Sequence, residues 1–219
     1  MKKILYSVAL AACCMGTMTS CSDFLDASNK SNVTAKQSFA TKEGLNNLVN
    51  NAYQHLQNVY AAPLFTSCFS AGTDMYADAR NKMNEVLNTY ETLTPENTDI
   101  KNLYTYLYSG IRAANSVSYY AQTAQVDEKT KGQLVGEARV LAAYEYYLLV
   151  NNFGGVPIMK DCLTTADTGY PKSSATDVYA YIISELEDVI SKNVLQASTA
   201  TKGGGRISQE TAKAILAKT

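Results

Sequence analysis

Residues 134–158 read LVGEARVLAAYEYYLLVNNFGGVPI, and this stretch decides the fold class. Its apolar residues recur at spacings of three and four, which predicts a long, largely buried helix over about 127–152. The Gly154–Gly155 pair offers a left-handed stop, and Pro157 prevents the helix from resuming. We therefore expect a sharp helix end, followed by a connector over 155–171.

The same period predicts four other helices, over about 41–60, 98–124, 176–194 and 208–219. Each begins at a hydroxyl residue. Thr98 opens the second of these helices, and the other three have hydroxyl caps at Thr41, Thr176 and Ser208. The period is lost over 61–97, and irregular chain of this length is usually functional or disordered. The predicted body is all-α. It consists of antiparallel helix pairs with long irregular loops, in the style of a tetratricopeptide-like solenoid but without that repeat's fixed pattern.

The composition is that of a globular protein with an unusual choice of aromatic residues. Hydrophobic residues make up 46% of the chain, which has 16 Tyr and 5 Phe but no Trp. Tyrosine joins an apolar ring to a polar hydroxyl, which suits half-wet surfaces. The formal net charge of −1 argues against nucleic acid as a partner. A single histidine excludes a histidine-rich metal site.

The N-terminus has the features of a bacterial lipoprotein signal. Two lysines precede an apolar run over 4–15, which is shorter than the about 20 residues that a membrane span needs. Small polar residues then lead into Cys21, in a pattern that resembles the lipobox. We predict a signal peptide over 1–20, lipidation of Cys21 and a lipidated tether over 21–38. The alternative is ordinary cleavage, for example after Ser20, which leaves the cysteine unmodified.

Motifs that indicate catalysis are weak or absent. Residues 203–206, Gly-Gly-Gly-Arg, lack the Gly-Lys-Ser/Thr ending of a phosphate-binding loop. Asp74 with Asp78, and Glu185 with Asp188, have helical spacing, but such pairs are usually solvated helix faces rather than a catalytic pair. We therefore predict no catalytic residue, no cofactor and no metal ligand.

Several side chains that could carry chemistry are interpreted as structural. His55 lies on a helix with an apolar face and is expected to be a hydrogen-bonded structural histidine. Cys68 and Cys162 could form a disulfide or remain separate buried thiols, and their spacing leaves both open. Glu137 and Arg139 are two residues apart, so they face different neighbours of the long helix. The tyrosines of that helix are expected to pack rather than bind ligand: Tyr144, Tyr146 and Tyr147.

Four stretches, taken in their order and spacing, resemble the SusD/RagB family of outer-membrane nutrient-binding lipoproteins. They are LYTYLYSGIRAAN (103–115), GEARVLAAYEYYLLV (136–150), FGGVPI (153–158), and GRIS (205–208) leading into AKAILAK (212–218). The resemblance covers only the N-terminal part of the family's usual length. Since an apolar helix stops in mid-turn at Thr219, we expect a truncated sequence, with an incomplete N-terminal α-helical domain over 39–219.

The resemblance implies a lipid-anchored, surface-exposed protein of the outer membrane that is not an enzyme. Members of the family bind glycans, or in some cases peptides. They sit on a SusC-type TonB-dependent barrel and deliver nutrients to it. For this chain it therefore implies capture of an oligosaccharide or polysaccharide. The alternative is a helical protein-interaction scaffold that binds no glycan.

The family's ligand surface draws on irregular segments that lie over the scaffold, which points to 61–97 here. Sugar rings need flat aromatic faces flanked by polar donors and acceptors. Because the chain lacks Trp, the platform must be Tyr or Phe. The candidate ligand-binding residues are Asp74, Tyr76, Asp78, Arg80, Asn81 and Tyr90.

Overall fold

The computed structural model of the chain describes residues 35–61, 63–76, 85–162, 169–199 and 205–219. Regular structure in these ranges consists of helices and two isolated β-bridges, which confirms the all-α prediction. The helices are α1 Ala35–Ser38, α2 Lys42–Tyr60, α3 Leu64–Phe69, α4 Glu85–Thr89, α5 Thr98–Ala121, α6 Glu128–Phe153, α7 Ala175–Lys192 and α8 Gln209–Lys218.

The end of the segment assigned to the tether is already part of the folded body. Residues 35–38 form one helical turn, α1, rather than extended chain. The ring of Phe39 packs against that of Tyr120 with centroids 4.9 Å apart. The amide of Gln125 donates to the carbonyl oxygen of Ala40 at 2.8 Å. Helical structure is therefore present from Ala35, and the contacts of Phe39 and Ala40 with the helical body lie inside the predicted domain 39–219.

The long helices pack on one another in the order of the chain: α2 on α5, α5 on α6, α6 on α7 and α7 on α8. α2 also contacts α6, and the two run in the same direction. Tyr53 bonds to Glu137 and Tyr60 to Tyr144, and each pair is 84 residues apart. α5 runs antiparallel to α6, as the ring pairs between them show: Tyr104 with Phe153 and Tyr108 with Tyr146.

The core follows the predicted apolar stripes. On α2, Leu45, Ala52 and Val59 have no exposed surface, whereas Leu56 is only partly buried. Alanines are frequent among the buried residues of both α5 and α6, and such small side chains let packed helices approach closely. Burying a leucine-sized side chain contributes about 1.5–3 kcal/mol, so this interior dominates the stability of the scaffold.

One predicted cap differs from the structure. α5 begins at Thr98 as predicted, and Asn97 caps it, because its Oδ1 accepts the amides of Asp99 and Ile100 at 3.0 and 3.2 Å. Ser174, not Thr176, caps α7 through a capping box with Asp177. A better acceptor therefore stands two residues before the predicted cap of α7. The remaining predicted starts are confirmed as caps: Thr41, Asp127 and Ser208.

The connector after α6 is held by tyrosine hydroxyls. Gly154 ends the helix with a positive φ of 70°. The hydroxyl of Tyr146 accepts the amide of Met159 at 2.7 Å, and that of Tyr108 donates to the carbonyl oxygen of Pro157 at 2.8 Å. The connector therefore packs on the core, where Val156 is buried, and these contacts account for part of the tyrosine-rich composition.

Candidate functional site

The structure describes three of the six predicted ligand-binding residues. Asp74, Tyr76 and Tyr90 fall in the described ranges, and all three are exposed. The other predicted site residues lie outside the described residues: Cys21, Asp78, Arg80 and Asn81.

A tight turn over 70–76 presents Asp74 and Tyr76. It follows α3 directly and is fixed by Thr73, whose Oγ1 donates to the carbonyl oxygen of Ser70 at 2.7 Å. A β-bridge joins Thr73 to Tyr76. Gly72 adopts a φ of +76°, a conformation that L side chains rarely adopt.

The structure brings Tyr90 to this turn. Tyr90 follows α4 in a left-handed conformation, with a φ of 61°, and its side chain is 56% exposed. Its hydroxyl lies over Gly72, where a Cβ atom would overlap it. The side-chain oxygen of Asn88 accepts the Gly72 amide at 3.0 Å. Asn88 and Tyr90 thus contact, at Gly72, the turn that carries Asp74 and Tyr76, and we call these four residues the loop face.

An aromatic patch at the end of α2 and on α3 was not among the predicted site residues. It consists of Tyr60, Phe65 and Phe69. Phe65 lies 5.4 Å from each of the other two rings, and the rings of Tyr60 and Phe69 are nearly parallel. Tyr60 is 43% and Phe65 37% exposed. The signal in the sequence is a set of closely spaced aromatic residues on both sides of Pro63, outside any helical stripe.

The tyrosines of α6 are confirmed as packing residues. Tyr146 is fully buried. Tyr144 and Tyr147 stack on each other with centroids 6.1 Å apart. The hydroxyl of Tyr144 is hydrogen-bonded to that of Tyr60, and burial together with this bond raises the pKa of Tyr60. The long helix thereby holds one ring of the aromatic patch in place.

The paired acids of α7 are structural. Arg139 donates from Nε to Glu185 at 2.6 Å and from Nη1 to Asp188 at 2.5 Å. Hydrogen bonds from Lys192 and Arg139 lower the pKa of Asp188. Both carboxylates are thus occupied in joining α6 to α7, and the prediction that Arg139 ties the long helix to a neighbour is confirmed.

Glu137 contacts different neighbours of α6 from those of Arg139, as predicted. It is 1% exposed, and its carboxylate receives the Arg206 guanidinium at 3.1 Å, the Tyr53 hydroxyl at 3.2 Å and the Gln133 amide at 3.1 Å. Burial raises its pKa despite these donors. The site joins α2, α6 and the segment before α8.

The two described cysteines are free thiols, which settles the alternative that their spacing left open. Burial, and to a smaller extent Asp99, raise the pKa of Cys68 to about 11, so its thiol stays protonated. The Cys162 sulfur lies 3.5 Å from the Ser116 hydroxyl. Among the described residues no group of His, Cys, Asp and Glu side chains could hold a metal ion.

The sequence of this chain is similar to those of a known protein family. The family model that matches residues 23–219 carries the description "starch-binding associating with outer membrane". SusD-like protein P38 of Formosa agariphila is 28% identical over 190 residues, which cover 84% of this chain and 36% of that protein. None of the helices in the described ranges is long and apolar enough to cross a membrane.

Solved structures share the fold. Surface glycan-binding protein A from Bacteroides uniformis matches with a TM-score of 0.68 at 26% identity, over 80% of this chain and 41% of that one. A SusD homologue from Bacteroides thetaiotaomicron gives 0.69 at 21% identity, over 87% of this chain and 38% of that one. The chain spans well under half the length of these relatives. Since the family model covers nearly the whole chain, the protein belongs to the SusD-like family.

Proposed function

We propose that this chain belongs to a glycan-binding lipoprotein of the outer membrane that captures oligosaccharides or polysaccharides for a SusC-type TonB-dependent transporter. The observation that carries the proposal is the exposed aromatic patch of Tyr60, Phe65 and Phe69, followed directly in the chain by the loop face. The starch-binding description of the family supports a glycan as the ligand class.

The two surfaces offer what a sugar needs. Sugar rings have apolar CH faces that pack on aromatic rings, and hydroxyl rims that exchange hydrogen bonds with carboxylates and amides. Tyr60 and Phe65 supply rings, while Asp74 and Asn88 supply polar groups. Ring stacking and the bond from Tyr60 to Tyr144 restrain the platform, which lowers the entropy lost on binding.

The proposed role is binding without catalysis. The acid pair with the best helical spacing in the described part of the chain, Glu185 with Asp188, is engaged by Arg139. Glu137 is held by Arg206 and Tyr53 and does not face the loop face or the aromatic patch. This arrangement supports a scaffold that presents a ligand surface.

Affinity electrophoresis tests the glycan. The full chain, kept in solution by mild detergent, should be retarded in native gels by at least one of amylopectin, laminarin, xylan and pectin. Phe65→Ala and Tyr90→Ala should each reduce the retardation, whereas Tyr119→Ala should not. Tyr119 is a suitable control because it is also exposed, at 46%, and belongs to neither surface. If no polysaccharide retards a chain that is helical by circular dichroism, a protein-interaction scaffold is favoured instead.

Membrane anchoring through Cys21 is a second part of the proposal. Cys21→Ala should move the protein from the membrane fraction to the soluble fraction after cell lysis, because loss of the acyl chains removes the anchor. Cys14→Ala, inside the predicted signal peptide, is the matched control and should leave the protein in the membrane. Retention of the Cys21→Ala protein by membranes would show that the lipobox interpretation is wrong.

A further inference from the structure

A small polar pocket of about 260 Å³ lies between α2 and α5. None of its lining residues belongs to the loop face or the aromatic patch. α2 contributes two of them and α5 four, and together they are Asn51, His55, Ser109, Arg112, Ala113 and Ser116. No acidic side chain is among them, so the pocket offers hydrogen-bond donors and positive charge without a carboxylate to neutralise it.

Unlike the other described arginines, Arg112 has no ion-pair partner among the described residues. Arg139 is paired with Glu185 and Asp188, and Arg206 with Glu137. Arg112 is exposed and forms no ion pair with any residue in the described ranges. Its planar guanidinium is therefore available to an oxyanion, which it can bind through two parallel hydrogen bonds.

His55 faces the same pocket and differs from the sequence prediction. Its Nδ1 is shielded from solvent, and it has no hydrogen-bond partner in the part of the chain that the structure describes. Burial, and secondly the charge of Arg112, lower the pKa of this histidine. Among the residues that the structure describes, Arg112 is the charged neighbour acting on it, so an anion placed between the two would favour the protonated imidazole.

We propose that this pocket binds a single oxyanion, the carboxylate or sulfate group of an acidic sugar residue, between Arg112 and His55. Asn51 and Ser109 line the same space and provide further hydrogen-bond donors. The volume lies just below the roughly 300–1,000 Å³ of pockets for drug-sized ligands, which suits one charged group with part of one ring rather than an oligosaccharide. The identification of the ligand as a sugar rests on the proposed function. The anion site is argued from the residues of the pocket alone.

The single histidine of the chain makes the test direct, because its imidazole signals in an NMR spectrum have no competitor. The full chain in detergent is titrated with glucuronate, glucose 6-sulfate, sodium sulfate and glucose at constant ionic strength set by sodium chloride. We expect saturable shifts with glucuronate or glucose 6-sulfate, an upward move of the His55 pKa when either is bound, and no shift with glucose. Comparing the titrations with glucuronate and with glucose 6-sulfate shows whether the bound group is a carboxylate or a sulfate.

Variants identify the residues responsible. Arg112→Gln should raise the dissociation constant for the acidic sugar at least tenfold. Lys101→Gln removes the same charge from an exposed position about 16 Å away on the same helix, and should leave binding unchanged. Absence of shifts with every anion, or equal binding by the Arg112→Gln protein, overturns the proposal. Binding of inorganic sulfate alone overturns the acidic sugar as the occupant.

The outcome is distinguishable from that of the glycan proposal. Retardation by a neutral polysaccharide, with no response of His55 to anions, would support glycan binding and overturn the anion pocket. A His55 response to glucuronate in a chain that no polysaccharide retards would support the anion pocket alone.

Discussion

Glu145 is a carboxyl group without a partner. It lies fully buried on α6, and neither of its oxygens has a hydrogen-bond partner in the described ranges. It points at Gly110 on α5, where a Cβ atom would overlap its carboxyl oxygen. Because burial disfavours the charged form, the pKa of Glu145 is raised well above its ordinary value, and the group is neutral in the folded state over a range where it ionises when unfolded.

The free energy of unfolding should therefore depend on pH through Glu145. Above the unfolded pKa of about 4.5 the folded state binds one more proton than the unfolded state. Stability then falls as pH rises, by up to about 1.4 kcal/mol per pH unit, until the folded pKa is passed. Glu145→Gln removes the Glu145 contribution and so makes the slope shallower, while the contribution of Glu137, whose pKa burial also raises, remains; urea unfolding between pH 5 and 7 would measure the difference. Glu187→Gln, at an exposed position on α7, should keep the slope, and an unchanged slope in Glu145→Gln would contradict the assignment.

At the scale of the elements, α5 and α6 approach closely where Gly110 faces Glu145. Gly110→Ala should lower the free energy of unfolding by about 1–3 kcal/mol, because the new methyl group overpacks against Glu145. Gly132→Ala, in the first part of α6, brings its Cβ only to within 3.3 Å of a Val194 methyl group, and the gain in helix propensity offsets that contact. Chemical denaturation should show a loss for Gly110→Ala alone. Equal losses in both variants would mean that the close approach does not limit the packing.

The contact between α6 and α7 depends on the planar guanidinium of Arg139. One guanidinium reaches two carboxylates, Glu185 and Asp188, from different nitrogens. An ammonium is a point donor and cannot reproduce this geometry, so Arg139→Lys should cost about 1–2 kcal/mol in thermal or urea unfolding. Lys192→Gln removes only an exposed pair of Asp188, and should change stability by at most about 0.5 kcal/mol. If the two variants lose the same free energy of unfolding, the two-carboxylate contact of the Arg139 guanidinium has no special role.

Helices were predictable where apolar residues recur with the helical period over several turns. α2, α5, α6, α7 and α8 were therefore expected from the sequence. α3 and α4 have 6 and 5 residues, too few to establish a stripe, and their existence depends on tertiary packing. The cap of α7 was placed two residues too late, since Ser174 and Thr176 are both acceptable in sequence and only the geometry decides.

The sequence indicated a region for the candidate site but not all of its exposed aromatic residues. Loss of periodicity pointed to 61–97, where Tyr76 and Tyr90 are exposed in the structure, and their role in binding stays a prediction. The aromatic patch was missed because exposure of Tyr60 and Phe65 is set by how α3 folds back, which no local pattern encodes. The proximity of His55 to Arg112 was not predicted for a similar reason, since the two residues are distant in sequence and adjacent only in the fold.

At the scale of the whole molecule, Arg206 joins distant parts of the chain. It donates to Asn50 at 2.9 Å and to Asn46 at 2.6 Å, 156 and 160 residues away, and pairs with buried Glu137. The amide of Ile207 next to it donates to the Tyr53 hydroxyl at 2.8 Å. The start of α8 is thus fixed to α2 and α6 through one polar cluster.

Arg206→Gln should therefore destabilise the molecule by about 3–5 kcal/mol, because it leaves the Glu137 carboxylate buried without its cation. Adding Glu137→Gln should recover much of that loss, since the double variant buries no unpaired charge. Hydrogen exchange should show amides of α8 losing protection in Arg206→Gln while those of the α5–α6 contact keep theirs. Uniform loss of protection would instead mean that α8 and the scaffold unfold as one unit, and that the cluster stabilises the whole chain rather than the docking of its last helix.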